Sequence, residues 1–315
     1  MKFTGKAIII VLALMVMTNM VFAAGGQSSG SGKKAIALLP PAMTSPFYAS
    51  VIKGAREEAD RLGYDLRILA PEAESNYAQQ VQMMEDMITQ RVDGIMVCAI
   101  NQEAISVGVK KANDAGIPVV FFNTNVDIQN AVVYAMSGYD QYNGGGKLAD
   151  WVNTRTGGNA KVAIIEGLPS DYTTLRMGGF VDKCRQSYPG IQVVASQPGD
   201  WLREKGMNAA ANMIQANPDI SVIYGLSDEM ALGAYQAKRQ IGRNDIIVIG
   251  LDGNPNALES VKNGELDATL NCGPVDIGRN AVIYMDKALK KETIPRKFIE
   301  AETTVVDRTN VDRFL

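Results

Sequence analysis

The sequence predicts an α/β protein of two doubly wound parallel-sheet lobes, and three observations support this prediction. Short apolar runs alternate with amphipathic stretches from Lys34 onward. The same alternation starts again after a glycine-rich segment, "MSGYDQYNGGGK", at residues 136–147. The length of 315 residues, with 46% hydrophobic residues, is sufficient for two cores.

The first half of the chain contains five short apolar runs that we interpret as buried strands. Such runs are typical of a parallel sheet that helices cover on both faces. Between the first two runs, Phe47, Val51, Ala55, Ala59 and Leu62 share one face of a predicted helix. The five runs are "AIALL", "YDLRILA", "VDGIMVCA", "IPVVFF" and "AVVYAM".

The second half repeats the pattern, which indicates a second lobe of similar size. Asp140 and the glycines at 144–146 predict a loop and a helix start at the junction. Its apolar runs are "AKVAIIE", "IQVVAS", "SVIYGL", "DIIVIGL" and "DATL". Amphipathic stretches predict helices over residues 175–188, 204–216, 229–240 and 257–263.

Residues 1–23 have the three parts of a secretory signal peptide. Lys2 and Lys6 precede an apolar run over residues 7–17, and small residues precede a cleavage point between Ala23 and Ala24. The run is shorter than the about 20 apolar residues that span a bilayer. An uncleaved anchor is the alternative, because further apolar residues follow Asn19. We expect a periplasmic protein with a flexible leader over residues 24–34.

Composition argues against several classes of function. The net charge is −3 and there is no long basic run, so nucleic-acid binding is not expected. The chain has no His, which removes the usual base of Ser and Cys triads and the commonest transition-metal ligand. No nucleophile elbow or phosphate loop follows a strand, so we expect no enzyme and assign no catalytic residue. Cys98, Cys184 and Cys272 are interpreted as free thiols.

Polar and aromatic side chains follow the predicted strands, at the edge where doubly wound sheets bind ligands. An ionised Asp252 would accept from sugar hydroxyls, and Arg176 would donate to them. The C–H faces of a sugar would lie against Phe47 and Trp201. We therefore expect a small neutral ligand such as a monosaccharide or polyol. Further candidates at strand ends are Ser45, Tyr48, Asn123, Thr124, Tyr172 and Ser227.

Each main candidate also has a purely structural interpretation. Asp252 and Ser227 could cap the helices that follow them. Trp201 could belong to a core, and Arg176 to a surface salt bridge. Phe47 could staple its own helix.

The chain resembles the periplasmic sugar-binding proteins of ABC transporters, in particular the ribose and galactose/glucose group of the type I fold. The resemblance extends over almost the whole mature chain. The segments that carry it are "SPFYASVIKGAREEADRLGY", "VDGIMV", "AGIPVVFFN", "YGLSDEMALGAYQA" and "VIGLDGNPNA". The family implies a stacking aromatic at Phe47 beside Tyr48, a clamp at Arg176, a second aromatic at Trp201, and polar contacts at Ser45, Asn123, Ser227 and Asp252. It also implies a hinge position at Cys272 whose side chain contacts the ligand.

The sequence departs from the ribose-binding pattern at several of these positions. Ribose binders have an Asp-Arg pair at Asn123 and Thr124, and Asn at Ser227; the hinge position at Cys272 usually holds Gln or Asn. The glucose/galactose pattern fits Asn123 and Trp201, but its acidic residue, lysine and calcium loop are missing. We therefore expect weak or no ribose binding, no metal and no cofactor.

The resemblance also implies how the chain is divided and how it works. The N-terminal lobe would comprise residues 35–138 and 272–300, the C-terminal lobe residues 139–271 and 301–315, with a three-segment hinge between them. A ligand bound between the lobes would stabilise the closed form. A monomeric binding protein would then deliver the sugar to an ABC transporter permease. The alternative is a sugar or autoinducer sensor for a chemoreceptor or signalling kinase.

Overall fold

The computed structural model describes residues 32–315. It contains two six-stranded sheets, and the first of them, sheet A, is formed mainly by the first half of the chain. Its six strands run in the order β11-β5-β4-β3-β1-β2, and every neighbouring pair is parallel. These strands are β1 (Ala35–Leu39), β2 (Asp65–Ile68), β3 (Gly94–Val97), β4 (Val119–Phe122), β5 (Ala135–Gly138) and β11 (Phe298–Glu300).

Sheet B repeats the strand order of sheet A, as β12-β10-β9-β8-β6-β7. All its neighbours are parallel except β12, which is antiparallel to β10. Its strands are β6 (Ala160–Glu166), β7 (Ile191–Pro198), β8 (Val222–Gly225), β9 (Ile247–Asp252), β10 (Ala268–Asn271) and β12 (Thr304–Asp307). The predicted class, two doubly wound lobes, is confirmed.

Helices connect the strands, and most of them begin where the sequence provides a cap. The side chains of Asn76, Asn101, Asp140, Ser170 and Ser227 each accept a hydrogen bond from a backbone N–H of the first turn. The helices are α1 (Pro46–Leu62), α2 (Tyr77–Thr89), α3 (Gln102–Asp114), α4 (Gln141–Thr156), α5 (Asp171–Ser187), α6 (Arg203–Ala216), α7 (Asp228–Ile241), α8 (Pro255–Asn263) and α9 (Pro274–Leu289), with a short 3-10 helix at Val311–Arg313.

The glycines at 144–146 lie inside α4, so the predicted loop at these residues is wrong. Asp140 does cap the helix, but the helix continues through the glycines. The reason is close packing against α5: a Cβ on Gly145 would lie 2.2 Å from the carbonyl oxygen of Arg176. Likewise, a Cβ on Gly179 would lie 1.8 Å from the carbonyl oxygen of Tyr142. The glycines therefore fix the position of α5, and with it that of Arg176.

The chain passes between the two sheets at three places. It leaves sheet A after β5, returns after β10 through α9, and leaves again between β11 and β12. Helix α9 packs on α1 and on the middle of sheet A. The described chain contains no helix that is both long and apolar enough for a membrane span. The predicted signal peptide and most of the predicted leader lie outside the described residues.

Candidate functional site

The carboxyl ends of the strands in both sheets face one cavity of about 270 Å³. Pockets for drug-sized ligands commonly have about 300–1,000 Å³. This cavity lies just below that range, so it fits a smaller ligand, of monosaccharide size. In each lobe it lies where the strand order reverses, between β1 and β3 and between β6 and β8. Nine of the predicted site residues line it: Ser45, Phe47, Tyr48, Asn123, Tyr172, Arg176, Trp201, Ser227 and Asp252.

The side of the cavity formed by the sheet A lobe, called the sheet A wall, has an aromatic surface that the first turn of α1 provides. Ser45 is the N-cap and Pro46 the first helical residue, but the Ser45 side chain makes no capping hydrogen bond. Phe47 and Tyr48 are both buried and meet edge to face, with ring centroids 5.1 Å apart. Burial raises the pKa of the Tyr48 phenol well above its usual value, so this side chain stays neutral.

Asn123 provides a free acceptor on the same wall. It follows β4 with φ of +58°, a left-handed conformation that Asn adopts more readily than most residues. The side chain is buried, yet its Oδ1 has no hydrogen-bond partner among the described residues. Buried polar atoms are rarely left unpaired, so this oxygen is ready for a donor in the cavity.

A buried ion pair between Arg176 and Asp252 forms the charged part of the sheet B wall. The Arg176 Nη1 lies 3.3 Å from Asp252 Oδ1, and the two side chains are only 5% and 8% exposed. The same Nη1 donates to the carbonyl oxygen of Leu226 at 2.6 Å, and Nε donates to Gln141 Oε1 at 2.8 Å. The predicted alternative of a surface salt bridge is therefore wrong for Arg176.

Asp252 does not cap the helix that follows it. Helix α8 starts at Pro255 and its N-cap is Asn254, so the capping alternative is wrong. Asp252 ends β9 with φ of +146°, a strained value for a residue with a side chain. The turn after it is held by the buried carboxylate of Asp228, which accepts from the N–H groups of Gly253 and Asn254 at 2.9 and 2.8 Å. The carboxyl of Asp252 is thereby kept on the cavity wall.

The electrostatics of this wall depend on burial and on the arginine. Burial raises the pKa of Asp252 well above its usual value, and the Arg176 guanidinium opposes that shift. Burial also raises the pKa of Asp228 to about 6, whereas its hydrogen bonds lower it. Because Arg176 stays charged, the wall presents both a cationic donor and a carboxyl acceptor to a ligand.

The indole ring of Trp201 lies between Gly167 and the guanidinium of Arg176. It follows β7 in a tight turn with φ of +65°. A Cβ on Gly167 would lie 1.9 Å from Cζ2 of the indole, so only glycine allows the ring to lie there. On the other side, Arg176 Cζ is 5.4 Å from the centroid of the indole ring. The indole is partly buried and lines the cavity, rather than belonging wholly to a core.

Ser227 has the capping role that its sequence context suggested, and it also lines the cavity. Its Oγ accepts from the N–H of Met230 at the start of α7, at 3.4 Å.

Tyr172 joins the two lobes: its hydroxyl lies 3.3 Å from Cys98 Sγ and 3.4 Å from the carbonyl oxygen of Ala99. Tyr172 therefore closes the cavity by contacting the opposite lobe.

Thr124 and Cys272 do not line the cavity, contrary to their prediction as site residues. The hydroxyl of Thr124 accepts from the N–H of Val126 at 3.0 Å, within its own turn. The Cys272 thiol donates to the carbonyl oxygen of Asp252 at 3.1 Å and is fully buried. Both residues support the wall from behind. All three cysteines are free and buried.

Several wall residues were not predicted from the sequence. Glu74 and Tyr77 follow β2, and Asn101 follows β3. The rule that ligand residues follow strand ends gives only a weak signal for these residues, because they lie several positions beyond the ends of β2 and β3. Other unpredicted wall residues are Pro41, Ser75, Ile100, Leu168, Pro169, Ser170 and Glu229.

Two doubly wound lobes that enclose one aromatic and polar cavity define a two-lobed solute-binding protein. Residues 36–293 match the model of the family described as "Periplasmic binding protein domain", and the chain belongs to this family. It is 32% identical over 272 residues to the Ribose import binding protein RbsB of Salmonella typhimurium, covering 86% of this chain and 90% of the relative. It is 33% identical to the Bacillus subtilis protein of the same name, covering 92% and 94%.

Solved structures agree with the fold. A periplasmic solute binding protein of an ABC transporter from Actinobacillus succinogenes, with bound D-allose, has a TM-score of 0.85 and 32% identity, over 89% of this chain and 100% of that chain. An ABC transporter solute binding protein from Agrobacterium vitis with bound D-fucose has a TM-score of 0.83 and 29% identity, over 89% and 97%. The chain is thus a binding protein of the sugar-import type and not an enzyme.

Proposed function

We propose that this protein binds a neutral monosaccharide or polyol in the cavity between its lobes and delivers it to an ABC transporter permease. The observation that supports this most strongly is the buried Arg176 and Asp252 pair, which faces a cavity with aromatic side chains from both lobes. The pair offers a donor and an acceptor side by side, as adjacent hydroxyls on a sugar ring require.

The ligand is proposed to be uncharged because Arg176 already has Asp252 as its counter-ion. A ligand carboxylate or phosphate would compete with Asp252 for the guanidinium and leave that carboxyl buried without a cation. The ligands named for the relatives and neighbours are also uncharged, and include ribose, D-allose, D-apiose, xylitol and D-fucose.

We propose that the lobes comprise residues 35–138 with 272–300 and residues 139–271 with 301–315, and that they move about the three crossings. Phe47 and Asn123 lie on one lobe, Trp201 and Asp252 on the other, so only the closed form brings all of them to one ligand. The ligand would therefore stabilise closure. The permease would then bind the closed, monomeric form.

Calorimetric titration with D-allose, D-ribose, D-apiose, D-fucose and xylitol tests this function. We expect at least one of these neutral compounds to bind with a Kd in the micromolar range or below. D-Ribose should bind weakly or not at all, because the cavity residues Asn123 and Ser227 replace an Asp and an Asn of the ribose-binding pattern. Preferential binding of glucose 6-phosphate or D-glucuronate would overturn the proposal.

Ligand binding is expected to change the fluorescence of Trp201 and not that of Trp151, the only other tryptophan in the sequence. Trp201 lines the cavity, whereas the indole of Trp151 donates to Asp307 on sheet B, away from the cavity. The Trp151→Phe variant should keep the spectral change and Trp201→Phe should lose it, while calorimetry still detects binding. A change that survives in Trp201→Phe and disappears in Trp151→Phe would contradict the assignment.

We also propose that the protein is exported and that its signal peptide is cleaved between Ala23 and Ala24. The support is the sequence pattern of residues 1–23 together with membership of a periplasmic family. N-terminal sequencing of the native protein should start at or near Ala24. An intact Met1 end recovered in the membrane fraction would show that the segment is retained as an anchor.

A further inference from the structure

Glu74 is a charged residue of the cavity wall that has no partner in the described chain. It lies in the segment between β2 and α2, on the sheet A side of the cavity. Among residues 32–315, no Lys or Arg nitrogen comes within 4.0 Å of its carboxyl oxygens, and no hydrogen bond reaches them. The side chain is half-buried. Glu74 thus differs from every other charged residue of the wall.

The other charged wall residues are all paired. Arg176 pairs with Asp252, as described above. Glu229 accepts two hydrogen bonds from Arg203, each 2.9 Å long. Only Glu74 has neither a cation nor a hydrogen-bond donor of the described chain beside its carboxyl group. Burial raises the pKa of this carboxyl to about 7, and the more distant charge of Arg176 opposes the shift. A partly buried carboxylate without donors is unfavourable, so a donor from the ligand would stabilise it.

We propose that Glu74 is a further specificity-determining residue, whose carboxylate accepts a hydrogen bond from a ligand hydroxyl and excludes ligands with an anionic group at that end. This inference rests on the proposed function. Glu74 and Asp252 lie on opposite lobes, and an ionised carboxylate only accepts hydrogen bonds. The site therefore selects a ligand with hydroxyl donors at both ends, such as a monosaccharide or polyol, over a uronic acid or sugar phosphate.

The variant Glu74→Gln keeps the shape of the side chain and removes its charge, and Glu72→Gln is the matched control. Glu72 lies in the same segment, is exposed and does not line the cavity. Affinity is to be measured by calorimetry at about pH 8, using whichever of D-allose, D-apiose, D-fucose and xylitol binds the unmodified protein. Glu74→Gln should lower the affinity by about tenfold, and Glu72→Gln should leave it unchanged.

Acidification gives a second readout that a merely structural role would not change. Between about pH 8 and pH 6 the unmodified protein should lose affinity as Glu74 becomes protonated, and Glu74→Gln should lose less. Burial raises the pKa of Tyr48, Cys98 and Tyr172, so these groups stay neutral throughout. The titratable and charged groups that surround Glu74 are Tyr48, Tyr77, Cys98, Tyr172, Arg176, Glu229 and Asp252, and all remain in both proteins.

The possible outcomes separate this inference from the proposed function. Equal affinity of Glu74→Gln and the unmodified protein at about pH 8 would overturn the inference and leave the proposed function intact. Unmodified protein that binds D-glucuronate more tightly than any neutral compound would overturn both. Weaker neutral-sugar binding in Glu74→Gln, together with a gain in D-glucuronate binding, is the result that supports the inference.

Discussion

Replacing Arg176 with methionine is expected to lower ligand affinity by about a hundredfold and the free energy of unfolding by about 3 kcal/mol. Methionine fills a similar space but cannot donate to a ligand hydroxyl. It also leaves the buried Asp252 carboxyl without a cation and the carbonyl oxygen of Leu226 without its donor. Calorimetric titration and urea unfolding measure the two effects.

Two further variants control for this change. Arg185 lies on the same helix in an exposed pair with Asp182, so Arg185→Met should change stability by less than about 0.5 kcal/mol. Adding Asp252→Asn to Arg176→Met should recover part of the lost stability, because no carboxylate then stays buried without its partner. Wild-type affinity in Arg176→Met would show that the guanidinium does not contact the ligand.

Replacing Asp252 with asparagine is expected to weaken ligand binding by about 1.5–3 kcal/mol, or roughly ten- to more than a hundredfold. A charge-assisted acceptor becomes a neutral amide, and its NH₂ group then faces ligand hydroxyls and Arg176 donors. The strained φ of +146° is no obstacle, since Asn tolerates positive φ about as well as Asp does. The measurement is titration of the identified ligand into both proteins.

The control is at the opposite end of the same strand. Asp245 precedes β9 and forms an exposed pair with Arg243, so Asp245→Asn should leave affinity unchanged. Because Asn254 is the N-cap of α8, a loss of capping at α8 cannot explain weaker binding in Asp252→Asn. Asp252 Oδ2 also accepts from the N–H of Asp228 at the start of α7, at 3.4 Å, and the remaining Oδ1 of an asparagine can keep this hydrogen bond. Unchanged affinity in Asp252→Asn would remove Asp252 from the proposed ligand contacts. Turnover of the bound sugar would instead indicate a catalytic role.

The main strands could be predicted because they are buried on both faces. Strands β3, β4 and β8 are buried at every position, so they appear in the sequence as continuous apolar runs. Strands β11 and β12 were missed because they are three and four residues long and mostly half-exposed. The glycines of α4 were misread because their packing partner, Arg176, is distant in the sequence.

The candidate site could be predicted to the extent that it follows strand ends. Asp252 is the last residue of β9, Ser227 follows β8 by two residues, and both line the cavity. Glu74 was missed because it lies several residues beyond β2. Thr124 and Cys272 were predicted to line the cavity because the sequence does not show which of several neighbouring side chains turns toward it. Both side chains instead form hydrogen bonds with backbone groups, those of Val126 and Asp252.

Mass spectrometry of the small molecule released from purified native protein identifies the ligand that the cavity selects. In the proposed binding mode the paired Arg176 and Asp252, and the acceptors Glu74 and Asn123, together select a neutral ligand rich in hydroxyl groups. We expect about one monosaccharide or polyol per chain, and not ribose. A phosphorylated or carboxylated compound at that occupancy would contradict the proposed binding mode. Ribose would contradict the weight given to the departures at Asn123 and Ser227.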